Sequence, residues 1–284
     1  MNVYELVTQR IIDQLEAGVI PWRKPWKGSG GGAPINYVSR KPYRGINLLL
    51  LPKDGEWLTF KQAGDAGGHV KAGEEGSMVV FYKRMERVRE NGRPDSFPYL
   101  QYSTVFHVSQ CEGIKSKIVE TTVPDTEAEP IEAAQTVLND YVTRSGVTVK
   151  NVEGSGEAYY YPLMDTIVLP VIGQFESAEE YYSVAFHEAA HSTGHPSRLN
   201  RDKMMASAFG GGDYSREELV AEIAASMVMN VAGIEQSQTF ENSVSYINGW
   251  LKRLREDSRA IVTASGKAQK AADLILGIGQ EEAV

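Results

Sequence analysis

His187-Glu188-Ala-Ala-His191 is the stretch of this chain whose residue types and spacing could do chemistry. On a helix, His187 and His191 stand four apart, so their imidazoles leave one face a turn apart. That is the placement a tetrahedral metal asks of two of its ligands. Glu188 faces the same side obliquely, where it can take a proton from an attacking water without filling a ligand position. A helix is predicted here because Ser177 and Glu180 form an S-x-x-E capping box and Gly194 sits where a left-handed residue would end it. The competing explanation is a helix that carries two histidines for packing.

H-E-x-x-H on a helix is the zincin motif, and a third ligand must follow downstream. In its H-E-x-x-H-x-x-G-x-x-H form Gly194 fits the glycine, but Ser197 occupies the last histidine's slot. His195, two residues early, is a minor candidate. The acidic run that begins at Ser215 offers Glu218 and Glu222 on one face, so one can bind metal while the other holds a ligand histidine by its second nitrogen. This run resembles the E-x-x-A-D/E pattern of the glutamate-ligand zincins, which points to Glu218. The alternative is that Ser215 and Glu218 form a capping box of their own, leaving Glu222 as the ligand. Tyr214 is a weaker candidate for polarising a carbonyl, against an ordinary loop tyrosine. Zinc is the expected metal, with manganese or another divalent ion able to substitute.

The elements that must position these groups fall into two halves. At 284 residues the chain suits two domains, and a 42% hydrophobic, 23% charged composition is that of a globular protein. No apolar run approaches the length of a membrane span, and Met1 to Glu5 lacks the basic start and apolar core of a signal peptide. Cys111 is the single cysteine, which excludes an intrachain disulfide and fits a reducing cytosol. The net charge of −8 divides unevenly: Met1 to Val119 carries +5 and Glu120 to Val284 carries −13. A basic half joined to an acidic one is expected where only the first meets a polyanion.

That first half interleaves rings with cations. Trp22, Arg23, Lys24, Trp26 and Lys27 crowd into six residues, and Arg40, Lys41, Tyr43 and Arg44 repeat the mixture, followed by Trp57 and Lys61. Unpaired bases stack on aromatic faces while Lys or Arg meets phosphate, so these eleven residues are candidate contacts to single-stranded DNA. Core packing competes equally for Trp22 and Trp26. A helix is predicted over Val3 to Leu15 and a short strand over Glu56 to Phe60. Ser77 to Lys83 and Tyr99 to Val108 should pair as antiparallel strands. Residues 119 to 131 read as a linker, Glu132 to Arg144 as a helix, and Val147 to Val152, Ala158 to Pro162 and Thr166 to Leu169 as strands. Three further helices are predicted over Ser215 to Val231, Ser243 to Asp257 and Ala260 to Leu276.

Taken together, Leu15-Glu-Ala-Gly18-Val-Ile-Pro21-Trp22, Tyr43-Arg-Gly45-Ile-Asn47, Trp57-Leu-Thr-Phe60-Lys-Gln62 and Val105-Phe-His-Val-Ser-Gln110 resemble the N-terminal domain of ArdC-type antirestriction proteins, shared with TraC-type plasmid primases. His187 to His195 with Glu217-Glu-Leu-Val-Ala-Glu222 is similar to their metallopeptidase-like domain. The resemblance implies an α+β protein with a single-stranded-DNA-binding domain over 1–118, a linker over 119–131 and a mainly helical zincin-like domain with a small sheet over 132–284. It implies a cytoplasmic, plasmid-encoded protein that shields incoming DNA from restriction during conjugation, with restriction-system proteins as the natural peptidase target. Two alternatives stand beside it: protection by occupying DNA with a non-catalytic metal site, and a replication or primase accessory.

Overall fold

The computed structural model describes residues 2–22, 33–88, 94–118, 130–201, 212–234 and 243–279. Residues 119–129 of the expected linker, together with Arg23, Lys24, Trp26 and Lys27, lie outside these ranges, and its last two residues, Pro130 and Ile131, instead begin the helix that follows. The chain divides into two compact units, one formed by Met1–Ile11 with Gly28–Pro124 and the other by Ile12–Lys27 with Asp125–Ala283. Helix α1 (Val3–Glu16) carries the expected stripe, with Val7, Ile11 and Leu15 buried, and the chain turns at Gly18 with φ 77°.

The first unit is a four-stranded sheet. β1 (Ile35–Asn36), β2 (Glu56–Thr59), β4 (Ser77–Val88) and β5 (Pro94–His107) lie in the order β1-β2-β5-β4. The β4–β5 pair is the expected antiparallel ribbon, and it extends from Ser77 opposite Val105 to Val88 opposite Pro94. A separate two-stranded ribbon joins β3 (His69–Val70) to β6 (Cys111–Glu112). Two short helices complete the unit. α2 (Ile46–Leu50) takes up the leucine run, and α3 (Phe60–Asp65) starts on a capping box in which Thr59 and Gln62 satisfy each other's amides.

The Tyr43-to-Asn47 segment is explained by this architecture. Gly45 has φ 58°, a conformation that costs a side chain dearly. It delivers Asn47 to the edge of β4, where its amide accepts from Val80 N–H at 2.7 Å and donates to Val80 C=O at 2.8 Å. Both backbone groups of an otherwise open edge are thereby satisfied.

In the second unit, α4 (Pro130–Ser145) precedes a three-stranded sheet of β7 (Thr148–Val152), β8 (Tyr159–Tyr161) and β9 (Thr166–Pro170). β9 is central, parallel to β7 and antiparallel to β8. Helices α5 (Ala178–Ser192), α6 (Gly212–Val231), α7 (Ser243–Glu256) and α8 (Ala260–Leu276) follow. α6 is buried over most of its circumference from Leu219 to Met229, where Val, Leu, Ile, Ala and Met fill most positions. Ala189 and Ala190 of α5 are fully buried, and their lack of bulk lets a neighbouring helix approach closely. Mixed helix and strand content in two parts makes this an α+β protein. Among the described residues no helix is long and apolar enough to cross a membrane.

Candidate metal centre

α5 begins as its sequence requires: Ser177 is the N-cap, and its hydroxyl accepts from Glu180 N–H at 3.1 Å. The reciprocal half of the expected box is absent, because the Glu180 carboxylate accepts from Glu176 N–H instead. The far end also differs from expectation. Thr193 caps the helix in a right-handed conformation and Gly194 is not left-handed. Arg201 holds this end, donating to Ala190 C=O at 2.7 Å and to the Thr193 hydroxyl at 2.6 Å.

One turn apart on α5, the His187 and His191 rings meet edge to face, with Nε2 atoms 3.1 Å apart. Glu218 reaches them from α6, one oxygen 3.4 Å from His187 Nε2 and the other 3.2 Å from His191 Nε2. One donor atom from each of the three falls within 4.8 Å of the others. Because α6 already starts at Gly212, Ser215 lies inside it and cannot be an N-cap. The capping-box alternative therefore falls, and Glu218 is turned inward to the histidines.

Each imidazole also faces a carboxylate with its second nitrogen. Glu222 lies 3.7 Å from His187 Nδ1, and Glu217 lies 3.7 Å from His191 Nδ1. These partners fix which nitrogen points at the centre. Glu217 was not singled out by sequence reasoning; the doubled acid at 217–218 was the available signal. It is buried and forms a 2.8 Å ion pair with Arg201, whose side chain is itself 7% exposed.

Electrostatics in the pocket are strongly biased toward cations. Burial works against a charged His191, but the adjoining carboxylates of Glu217 and Glu218 push its pKa up to about 10. Burial likewise disfavours the Glu218 carboxylate, yet the two histidines hold its pKa far below the usual range. His187 is raised by Glu218 against the opposing effects of burial and His191. Glu188, 8% exposed, adds its charge beside both rings. Two imidazoles and a carboxylate with carboxylates behind them form a donor set that fits a divalent metal. His195 takes no part; its Nδ1 lies 2.7 Å from the Ser197 hydroxyl. The Tyr214 side chain lies outside the described residues.

The expected DNA contacts fare differently. Trp22 is 4% exposed and packs edge-on against Trp250, and Trp57 is 1% exposed in a cluster with Leu51, Val79 and Val105. Neither ring can stack on a base, which corrects both expectations in favour of core packing. Arg40 is exposed, but its guanidinium is paired with the fully buried Glu56. Tyr43 is half-buried over the Trp57 cluster, while Lys41, Arg44 and Lys61 are exposed. The exposed rings are ones that the sequence did not single out. Phe81 and Tyr99 stand on the Val79 face of the β4–β5 ribbon, with Lys83 opposite Tyr99.

Comparison with known proteins agrees with these two halves. Residues 1–106 match the family model described as the N-terminal domain of anti-restriction factor ArdC, and residues 136–267 match that of the zincin-like metallopeptidases. The crystal structure of antirestriction ArdC from plasmid R388 in its metal-free form superposes with a TM-score of 0.76 at 35% identity, covering 97% of each chain. This chain belongs to the ArdC antirestriction family. The Mn(II)-bound ArdC structure from the same plasmid covers 99% of this chain and all of that one at 34% identity, again with a TM-score of 0.76. An uncharacterized protein of Sinorhizobium fredii, y4eC, is 32% identical over 96% of this chain and 91% of its own length. The DNA primase TraC of Escherichia coli is 35% identical over 98% of this chain, which spans only 27% of that primase. In this ArdC-family chain the histidine pair and Glu218 fall inside the zincin-like match, and the β4–β5 ribbon falls largely inside the ArdC N-terminal match.

Proposed function

We propose that this protein is a cytoplasmic antirestriction factor that binds single-stranded DNA through residues 1–118 and carries a metal-dependent peptidase-like centre in residues 132–284. The observation that carries this reading is the convergence of His187, His191 and Glu218 within 4.8 Å, on a chain that matches ArdC along nearly its whole length. These three side chains would hold one divalent cation, zinc or manganese. When bound, such an ion supplies Lewis-acid polarisation of a carbonyl and acidifies water. Glu188, buried beside the rings, would accept the proton of the attacking water. Glu217 and Glu222 would keep the two imidazoles in register, and Arg201 would keep the Glu217 carboxylate in place.

In the first unit, Phe81, Tyr99 and the half-exposed Tyr43 would stack on unpaired bases while Lys83, Arg44, Lys41 and Lys61 meet phosphates. This surface also favours a second reading, in which DNA is protected by being covered and the metal centre only braces the fold. Glu188→Gln separates the two, since it leaves the metal ligands in place. Conjugative transfer into a restricting recipient should drop to the unprotected level if the proton acceptor is needed. Full protection by Glu188→Gln would reject the peptidase reading and leave DNA coverage.

A further inference from the structure

α5 ends without a left-handed glycine, so the carbonyls of its last turn need donors from elsewhere. Arg201 supplies one and ties that turn to α6. Arg198 supplies the other. Its Nε donates to Ser192 C=O at 2.8 Å, one residue beyond His191. Its Nη1 donates to Asp165 at 2.9 Å and to Ser145 C=O, at the end of α4, at 3.3 Å, while Nη2 meets the other oxygen of the same carboxylate and the Tyr160 hydroxyl. Tyr160 lies on β8 and Asp165 in the turn between β8 and β9. One side chain, 4% exposed, thus fastens the end of α5 both to α4 and to the sheet.

Asp165 is itself held in place with care. Its φ of 45° is left-handed, a conformation that most side chains avoid and that persists where the surroundings determine it. Tyr160 donates to the carboxylate at 2.7 Å, on the oxygen that Arg198 Nη2 also meets. Burial disfavours the Asp165 charge, but hydrogen bonds from Arg198 and Tyr160 keep its pKa below the usual carboxylate range. A guanidinium fork on a carboxylate fixes direction as well as distance, which the point charge of a lysine would not do.

We propose that Arg198, oriented by Asp165 and Tyr160, is a positioning residue of the metal centre: it sets the last turn of α5 on the sheet and so fixes where His191 meets Glu218. The inference rests on the metal-binding reading of that centre. Metal donors must be held to within about 0.5 Å, and His191 stands in the final turn of a helix, the part that frays unless its carbonyls are held. Arg201 constrains that turn against α6 through Glu217, and Arg198 constrains it against the sheet through Asp165. Each arginine therefore limits a different movement of the same imidazole.

The test is titration of the full-length protein with Zn(II) in competition with a chromophoric chelator, repeated with Arg198→Lys, Asp165→Asn and Tyr160→Phe. Arg198→Lys keeps the charge and loses the fork, Asp165→Asn keeps the shape and loses the charge, and Tyr160→Phe removes one hydroxyl, the mildest change should the other two fail to fold. Leu254→Ala is the control, since it opens a cavity at a fully buried position of α7 and lowers the melting temperature by that route. Arg198→Lys and Asp165→Asn should still bind one equivalent, about ten- to a hundredfold more weakly than wild type, and Tyr160→Phe should weaken binding by less. The visible spectrum of the Co(II)-loaded protein should shift in all three. Leu254→Ala should melt lower than wild type yet keep its Zn(II) affinity and its Co(II) spectrum. Wild-type affinity in the folded clamp variants, or an equal loss in Leu254→Ala, would overturn the assignment. A wild-type chain that binds no Zn(II) would instead overturn the metal-binding reading itself, and the assignment with it.

Discussion

Both histidines of the pair have a carboxylate at each nitrogen, and this explains why the centre is tuned to a cation. His191 pushed up to about 10 carries its proton at neutral pH when no metal is present. A metal ligand must be a neutral imidazole, so loading the site at pH 7 should release at least the His191 proton, with a further contribution from His187, which is also raised. Titrations in buffers of different ionisation enthalpy should report that release, and apparent affinity should climb with pH until His191 is neutral near 10. Affinity that stays level between pH 6 and 9 would contradict the coupling. Most of this chemistry was legible in the sequence. Spacing alone put His187 and His191 on one face, and the run from Glu217 to Glu222 supplied the acids. The choice between Glu218 and Glu222 was not legible, because it depends on where α6 begins. A start at Gly212, three residues ahead of Ser215, rotates Glu218 inward.

At the scale of elements, the centre is a contact between α5 and α6, and its rigidity rests on Arg201. This arginine bridges the α5 end to Glu217 of α6, and both partners of the ion pair are 7% exposed. Arg201→Met should cost about 3–5 kcal/mol of stability by leaving Glu217 buried and unpaired. The companion Arg201→Met/Glu217→Met should recover most of it, as chemical denaturation would show; equal destabilisation in both variants would remove Arg201 from this role. The helices and strands of both units were mostly readable from period and turn chemistry. Two features were not. α3 is too short for a helical period and is set by the reciprocal Thr59–Gln62 cap. Gly194 looked like a helix terminator, but the Arg201 contacts end α5 without a left-handed residue.

For the whole molecule, the asymmetry of +5 and −13 favours the first half as the one that would meet a polyanion, but sequence does not say which rings are available there. A tryptophan beside lysines reads the same whether it is a platform or a core residue; only burial distinguishes them. Trp22→Ala should therefore destabilise the fold by about 3–5 kcal/mol. Phe81→Ala and Tyr99→Ala should leave stability intact and weaken single-stranded DNA by about 1–3 kcal/mol for each stacked base. Filter binding and thermal melts on the three variants would show this crossing pattern, and DNA affinity lost only with Trp22 would invert it. The metal centre is the feature on which the proposed function depends most directly, and metal content of the dialysed full-length protein tests it. Wild type and Glu188→Gln should each retain one equivalent of divalent ion, His191→Ala and Glu218→Ala none, and Glu217→Gln should bind about 10–100-fold more weakly. A wild-type chain that holds no metal, or a Glu218→Ala chain that still holds one equivalent, would contradict it.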